Sequence, residues 1–393
     1  MWPISQRGGF TSRRRGKCSW FASRCAYTAS VYSRASTSAA AISAAERGAP
    51  RDARAPSLPM SVPTPTPLVL VTPFAADANN GNWRTASRWA RLLAPAYRSL
   101  LQTPDAPVTG DGRDAAALMI ALHARRSRPA IEAWTRQRPR RPLVVALTGT
   151  DLYRDVAHAD ADALRSLDDA DALIVLQEDA LSALPERVRA KAHVVFQSAR
   201  SLVPCAGKSP HRLHALLVAH LREEKDPRTV FAAWRRLPLA LPTRLTIIGA
   251  PLDPALATEA AALAHADLRV RYLGPRPHAW TRQAIRRAHV LIVPSRMEGG
   301  ANVVVEAVTA GTAVIASRMS GNVGMLGADH PGMFPVGDAP ALAALVERAC
   351  TDRAFLARLE DAGRARLPRF LPDAERAALA AVVAAALRSR PVE

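Results

Sequence analysis

The sequence has few of the features that mark secreted, metal-dependent or membrane-spanning proteins. Its 393 residues include only 4 cysteines, of which Cys18 and Cys25 lie near the N-terminus while Cys205 and Cys350 are isolated. This spacing fits neither a disulfide framework nor a zinc site. No apolar run approaches the roughly 20 residues that a membrane-crossing helix needs. We therefore expect a cytoplasmic chain with no stable membrane insertion, no metal and no other cofactor.

Acidic residues are scarce relative to basic ones, and the formal net charge is +19. The excess is concentrated in residues 1–59, which hold ten Lys or Arg against two Asp or Glu and have no apolar periodicity. Such a composition predicts a disordered basic tail. We interpret it as a mis-called upstream start before Met60 or a dispensable segment. The alternatives are organelle targeting and contact with nucleic acid or a membrane surface. We expect no nucleic-acid partner.

From Leu68 onward, short apolar runs alternate with stretches of helical spacing. This alternation predicts an α/β chain with parallel sheets. The runs predicted as strands are 68–71, 118–122, 143–147, 173–176, 194–196, 214–218, 244–248, 269–272, 290–293 and 313–316.

A patch containing Pro, Gly and Ser at 203–210 interrupts this pattern and marks a linker. We therefore divide the chain into two Rossmann-like domains, 60–205 and 206–370, that face each other across a cleft. The Ala-rich stretch at 371–393 is predicted to be a helix that packs back on the first domain. Ligands of such sheets bind at the carboxyl ends of the strands.

The segment that follows the predicted strand 290–293 combines two carboxylates, two glycines and the start of a helix. Glycines let a ligand approach the backbone, and the free N–H groups of a helix start attract an anion. A carboxylate beside a phosphate is useful when it faces hydroxyl groups. We interpret the segment as a nucleotide-sugar pocket, with a cap and a solvated helical Glu as the alternative for each carboxylate. Its candidate residues are Glu298, Gly299, Gly300, Asn302, Val303 and Glu306.

Arg222 and Lys225 follow the predicted strand 214–218 and are three residues apart. On a tight turn they share a face and are suited to gripping a diphosphate. Two Asp-x-Asp pairs, at 160–162 and 169–171, resemble metal ligands, but both lie in a helical acidic stretch and are interpreted as solvated caps.

The first domain carries polar residues in the loops after three of its strands. They offer glycine, cations and small hydroxyls, which suit a compact oxyanion. The alternatives are ordinary turn residues for the loop that includes Asn79 and Asn80, a solvated arginine pair, and a helix cap for Asp151. The candidates for an acceptor site are Gly81, Asn82, Arg84, His123, Arg125, Arg126, Thr150 and Asp151.

Glu298 and Glu306, with Arg222 and Lys225 upstream, make the chain resemble the retaining glycosyltransferases of family 4, which have the GT-B architecture of two facing Rossmann-like domains. Longer stretches of the sequence are similar to those of the selenosugar synthases of selenoneine biosynthesis. These stretches are 122–127, 147–155, 295–304 and 321–327.

The resemblance implies an enzyme that joins selenophosphate to the anomeric carbon of a UDP-sugar, with UDP-N-acetylglucosamine as the expected donor. It implies that Arg222 and Lys225 hold the diphosphate, that Glu298 holds sugar hydroxyls and that Glu306 holds the ribose; we group the first three as catalytic. Where family 4 enzymes usually have a glycine after the lysine, this chain has Asp226. The alternative is a family 4 enzyme with a sugar or lipid hydroxyl acceptor. Other selenoneine-pathway enzymes are its implied partners.

Overall fold

A computed structural model of the chain describes residues 65–74, 81–107, 110 and 112–389. The basic tail at 1–59 lies outside these residues, as do Asn79 and Asn80. Within these ranges the chain forms two parallel six-stranded sheets with helices packed on both faces. The predicted α/β fold with two Rossmann-like domains is confirmed. The domain boundaries stay a prediction.

The first sheet has the strand order β2-β1-β3-β4-β5-β6. Its strands are β1 (Thr66–Val71), β2 (Tyr97–Gln102), β3 (Leu118–Leu122), β4 (Leu143–Ala146), β5 (Ala172–Val175) and β6 (Ala192–Val194). Its helices are α1 (Gly81–Leu93), α2 (Arg128–Gln137), α3 (Ala161–Asp169) and α4 (Glu186–Arg189).

The second sheet has the order β12-β11-β10-β7-β8-β9. Its strands are β7 (Leu213–Val218), β8 (Thr243–Ile248), β9 (Val270–Tyr272), β10 (Val290–Val293), β11 (Ala313–Ser317) and β12 (Met333–Phe334). The later helices are α5 (Pro227–Arg236), α6 (Pro254–Ala266), α7 (His278–Arg287), α8 (Asn302–Val308), α9 (Ser320–Leu326), α10 (Ala339–Thr351), α11 (Arg353–Arg366) and α12 (Pro372–Ser389).

Strands β3, β4, β5 and β10 are apolar at every position because both faces of each sheet are covered. In β1, Val69 and Val71 face a core cluster that includes Trp134 of α2. Leu68 and Leu70 face the opposite cluster, which includes Trp89 of α1. The last helix, α12, contributes Leu379, Val382, Val383 and Ala386 to that second cluster, so it packs against the first sheet.

Two strands were not predicted from the sequence, and the bounds predicted for a third were wrong. Strand β2 lies at the edge of its sheet and is only partly buried, and β12 has two residues, so neither presents a continuous apolar run. The strand expected at 194–196 is instead Ala192–Val194, which pairs with β5. None of the helices in the described part of the chain combines the length and apolar character that crossing a bilayer requires.

Candidate active site

The loop between β10 and α8 places a buried carboxylate beside a lysine. The hydroxyl of Ser295 donates to Glu298 Oε1 at 2.7 Å, and Ser317 Oγ donates to the carbonyl of Ser295 at 2.5 Å. These bonds fix the loop against the end of β11. Glu298 is 8% exposed and pairs with Lys225 Nζ, which comes from the loop after β7. The structure therefore joins two residues that are 73 positions apart.

The loop after β7 makes a short 3₁₀ turn, Glu223–Lys225, and then passes through Asp226 with φ +44°. Asp is one of the few residues other than Gly that adopt this left-handed conformation. Its buried carboxylate accepts from Thr229 Oγ1 at 2.7 Å and pairs with Arg296 Nε at 3.1 Å. Asp226 therefore takes the conformation that a glycine would allow, and its side chain ties the loop to the β10 loop.

Arg222 and Lys225 both lie at this turn but differ in surroundings. The Arg222 side chain is 45% exposed, and its Nε lies 3.8 Å from Glu224 Oε2, a distance typical of a weak surface pair. Lys225 is 19% exposed and held by Glu298. A bound diphosphate would compete with Glu298 for Lys225, and Arg222 is accessible as a second cation.

His220, which sequence reasoning missed, stands at the start of the same loop. Its pKa is lowered by the protein packed around its ring and by the positive charges of Arg222, Lys225 and Arg84. Arg84 belongs to α1 of the first sheet, so cations from both sheets act on one place in the cleft. The ring is largely neutral at pH 7 because its pKa lies below the ordinary value of about 6.5.

Helix α8 begins at Asn302, as predicted, and carries Glu306 one turn later. Glu306 Oε1 is 2.7 Å from His278 Nε2 at the start of α7, and Arg282 Nη1 donates to the Glu306 carbonyl at 2.7 Å. The contact with His278 orients the carboxylate, and the bond from Arg282 holds the backbone of α8 against α7. Val303 is partly buried and packs against the adjacent core. Sequence reasoning did not find His278, because no motif links it to Glu306.

The two glycines of the β10 loop contact the first domain. A Cβ on Gly299 would lie 2.3 Å from the Thr148 carbonyl oxygen, and one on Gly300 would lie 2.7 Å from Leu176 Cβ. We expected their small size to leave room for a ligand. In the structure the loop after β4, including Gly149, lies against Gly299, and Leu176 and Gln197 lie against Gly300; their place in the donor site stays a prediction. The glycines permit the interdomain contact.

The glycine at 321, in one of the stretches that carry the resemblance, has a similar packing role. A Cβ on Gly321 would lie 2.1 Å from the carbonyl oxygen of Glu298. Asn322, the next residue, donates from Nδ2 to the carbonyl and the hydroxyl of Ser317 at 3.0 Å each. The start of α9 therefore packs against the backbone of the Glu298 loop.

In the first sheet, the start of α1 faces the start of α8. The nearest atom to a Cβ built on Gly81 is Asn302 Nδ2 at 3.9 Å, and Arg88 Nη1 lies 3.5 Å from Asn302 Oδ1. Arg84 is partly buried in the first turn of α1. Asn82 is the second residue of α1 as the structure describes it, and it is partly buried.

His123 ends β3 in a left-handed conformation, φ +72°, and is almost fully buried. Its Nε2 lies 3.1 Å from Thr150 Oγ1, and its Nδ1 accepts from the Arg126 N–H at 3.3 Å. Burial lowers its pKa, and the charges of Arg126 and Arg154 add to the effect. The guanidinium of Arg126 lies 4.9 Å from the centre of the Phe74 ring. His123, Thr150 and Arg126 therefore form one group.

Two predicted acceptor residues have structural contacts instead. Asp151 is fully buried, and its carboxylate accepts backbone N–H groups of Ala124, Thr148, Gly149 and Leu152. Because both of its oxygens accept backbone N–H groups, the geometry supports the alternative interpretation of Asp151 as a cap.

Arg125 also pairs with carboxylates of its own domain, and its place in the acceptor site stays a prediction. Its Nε lies 3.1 Å from Asp160 Oδ2 and its Nη1 lies 3.8 Å from Asp155 Oδ1. Asp160 also caps α3 by accepting from the Ala163 N–H at 2.9 Å, so the acidic stretch before β5 acts as caps and ion-pair partners. In the described ranges no group of three or more His, Cys, Asp or Glu is arranged to hold a metal ion.

Glu375 of α12 is a further buried carboxylate that gave no sequence signal. It accepts from Arg88 Nε at 2.8 Å, from Trp89 Nε1 at 2.7 Å and from the N–H of Ser198 at 2.8 Å. Arg88 and Trp89 belong to α1, so Glu375 joins the last helix to the helix that faces Asn302. It is the one glutamate of α12, and nothing local indicates these partners.

The geometry thus gathers cations, two carboxylates and a helix start at one cleft, an arrangement suited to an anionic ligand that also carries hydroxyl groups. Residues 207–366 match the family model described as glycosyl transferases group 1. The matched segment makes up less than half of the chain. It holds β7 to α11, and with them Arg222, Lys225, Glu298 and Glu306. The chain is accordingly an enzyme, a glycosyltransferase.

Solved structures share the fold over most of the chain, including residues on both sides of this segment. Sucrose-phosphate synthase from Thermosynechococcus elongatus is 18% identical, with 82% of this chain and 100% of that chain covered and a TM-score of 0.65. Anabaena HepE, in complex with UDP and glucose, is 16% identical, with 81% and 100% covered and a TM-score of 0.63.

The α,α-trehalose 6-phosphate synthase from Burkholderia multivorans is 17% identical, with 70% and 72% covered and a TM-score of 0.56. Identities this low establish the fold alone, which is GT-B. No curated protein sequence matches the chain.

Proposed function

We propose that this glycosyltransferase transfers the sugar of a UDP-sugar to selenophosphate. The observation that carries the proposal is the Lys225–Glu298 pair, set beside Arg222 and within the field of Arg84. Lys225 and Arg222 supply cations for a diphosphate at the carboxyl end of the second sheet, and Glu298 supplies a carboxylate for hydroxyl groups. The resemblance of the sequence to selenosugar synthases supports the choice of acceptor.

The donor half of the proposal rests on the second sheet. Glu306, oriented by His278, is a suitable acceptor for ribose hydroxyls, and Glu298 for those of the sugar. HepE, which shares the fold, was solved with UDP and glucose. A UDP-sugar is therefore the donor class that we infer, with UDP-N-acetylglucosamine expected from the resemblance.

The reaction forms one bond and breaks one bond at the anomeric carbon. Selenium supplies the electron pair for the new carbon–selenium bond, and the electrons of the broken carbon–oxygen bond leave with UDP. Lys225, Arg222 and Arg84 oppose the charge that develops on the diphosphate, a type of stabilisation that can contribute about 3–4 kcal/mol per well-placed donor. Water then cleaves the selenium–phosphorus bond, which releases phosphate and leaves the selenium on the sugar.

The acceptor half rests on cations and on the narrowness of the cleft. A selenophosphate nucleophile is already deprotonated, so it needs positive charge more than a general base. Arg84 and the group of Arg126, His123 and Thr150 are the remaining candidates for this role, with Gly81 and Asn82 beside Arg84. The backbone contact at Gly299 leaves less room for a large acceptor.

The proposal is tested by incubating the full chain with UDP-N-acetylglucosamine and with selenophosphate made in situ. Mass spectrometry should detect UDP and a sugar carrying the selenium isotope pattern. The control omits selenophosphate, and a second replaces it with inorganic phosphate. Formation of UDP with a hydroxyl acceptor and of no selenium-containing sugar would overturn the choice of acceptor.

A further inference from the structure

A second cavity lies at the opposite edge of the second sheet from the candidate active site. It opens at the amino ends of β7, β8 and β10 and has a volume of about 520 Å³. This volume is within the range typical of small-molecule pockets, about 300–1,000 Å³. One wall is the chain segment between β6 and β7, which includes Lys208 and connects the two sheets.

Four cations line this cavity, namely Lys208, Arg212, Arg244 and Arg287, and no carboxylate does. Lys208 Nζ lies 3.6 Å from Glu360 Oε1. Within the residues that the structure describes, none of the three arginines forms an ion pair. Like charges gathered in a concave site repel each other, and an anion that contacts several of them relieves the repulsion.

Two histidines of the cavity, His214 and His289, do not add to this charge at neutral pH. The pKa of His214 is lowered to about 4 by burial and by the charges of Arg244, His289 and Arg271. Burial also lowers the pKa of His289, with Lys208 and Arg353 acting in the same direction. Their rings serve as hydrogen-bond partners instead.

His289 is 5% exposed and fixes the wall of the cavity. Its Nδ1 accepts the His214 N–H at 2.9 Å, and its Nε2 lies 3.0 Å from the carbonyl oxygen of Ser209. Ser209 belongs to the connecting segment, so the segment is bonded to the sheet beside the cations. An anion held here would contact both the connector and the second sheet.

We propose that this cavity binds a phosphate-bearing small molecule at a site separate from the cleft. Guanidinium groups bind phosphate oxygens in pairs, and the cavity offers three of them with a lysine. The ligand class is a phosphoryl anion, whether an inorganic phosphate chain or a phosphorylated metabolite. Because the connector forms one wall, occupancy would also act on the segment that joins the two domains.

The experiment measures binding of inorganic pyrophosphate, with EDTA present, to the full chain that is already saturated with UDP. Calorimetry should detect about one further equivalent of pyrophosphate. In the double variant Arg244→Ser with Arg287→Ser this binding should weaken at least about tenfold while UDP affinity stays within about twofold. The matched control, Arg136→Ser with Arg165→Ser, removes the same charge from exposed helix positions of the first sheet and should leave both affinities unchanged.

The proposal fails if UDP saturation abolishes pyrophosphate binding, or if both double variants weaken it equally. Retained UDP affinity reports that the variants are folded. If the chain does not bind UDP, the titration is repeated on the wild type and on Lys225→Ala; loss of all binding in Lys225→Ala would assign it to the cleft and overturn the proposal. An adventitious response to net charge is detected by the control pair.

Finally, two arms separate the sources of the ligand. One uses inorganic tripolyphosphate, and the other uses glucose 6-phosphate as a phosphorylated metabolite. A higher affinity for either arm that depends on Arg244 and Arg287 identifies the source. Equal weak binding of both, unaffected by the double variant, would contradict a specific site.

Discussion

The loops on the two sides of the cleft use their polar side chains differently. In the second sheet, Lys225 and Glu298 contact each other across two loops, and Glu306 is oriented by His278. In the first sheet, Asp151 is taken up by four backbone N–H groups and Arg125 by two aspartates. One side presents its charges to the cleft, whereas the other uses several of them to build its own loops.

A charged residue at a strand end is therefore judged by its partners rather than by its exposure, since the Arg125 side chain is 48% exposed and that of Lys225 only 19%. In sequence the two sides look the same, because each has a polar loop after a buried strand. The contrast lies in the partners of the charged groups. Substitutions on the two sides should therefore differ in what they change.

The largest effect is expected from Lys225→Ala. Removing the cation that faces the leaving diphosphate should lower kcat by about 100- to 1,000-fold, as the loss of one well-placed donor does. Thermal unfolding should shift to a lower temperature, because the buried carboxylate of Glu298 loses its cationic partner and keeps only the bond from Ser295. Steady-state kinetics with a UDP-sugar measure the effect. Arg228→Ala, in the same segment but exposed and paired with Glu223 and Glu259, is the control and should retain activity.

Asp151→Ala should act on stability rather than on substrate binding. Four backbone N–H groups lose their buried acceptor, so the free energy of unfolding should fall by about 3 kcal/mol. Urea denaturation measures this change. Asp162→Ala is the matched control, because Asp162 is exposed on α3 and its loss should cost under about 0.5 kcal/mol. A loss of acceptor affinity at unchanged stability would return Asp151 to the acceptor site.

Gly299→Ala tests the contact between the two sides. Its Cβ would lie 2.3 Å from the Thr148 carbonyl oxygen, so the loops must separate. We expect stability to fall by about 1–3 kcal/mol, the usual cost of overpacking, and activity to fall with it. Gly207→Ala is the control, since nothing lies within 4 Å of the added methyl group. If Gly299→Ala keeps wild-type stability and activity, the two loops are not in close contact.

His278→Ala should produce the smallest change. It removes one hydrogen bond to Glu306, so the KM for the donor should rise about 5- to 10-fold, equivalent to about 1 kcal/mol, at constant kcat. His278→Gln, which keeps a donor, should recover most of the affinity. His265→Ala, at the end of α6, is the control. An equal effect of the Ala and Gln variants would remove His278 from this role.

The sequence was sufficient where the signal is local. Strand β10, its glycine loop and the start of α8 follow one another in the chain, so their order and the position of Glu298 could be predicted. Even there, the sequence did not predict why position 299 needs a glycine, because its neighbour Thr148 lies in the loop after β4 of the other sheet. Strand β2 was missed because an edge strand lacks a continuous apolar run.

Long-range partners could not be predicted. Glu375 binds Arg88 at a separation of 287 positions, and no spacing rule connects them. The contacts of Arg125 and Asp151 likewise depend on the side chains and backbone groups that surround them in the fold. Periodicity predicts which face of an element is buried, but it does not specify the partner of a charged group.

We infer that the donor diphosphate is held by the loop after β7 and not by Arg125 of the first sheet. Calorimetric titration of UDP into Lys225→Ala and Arg125→Ala tests it directly. We predict that Lys225→Ala weakens UDP binding at least about tenfold, since a charged hydrogen bond contributes about 1.5–3 kcal/mol, while Arg125→Ala stays within about twofold of the wild type. Wild-type affinity in Lys225→Ala, or an equal loss in Arg125→Ala, would contradict the claim.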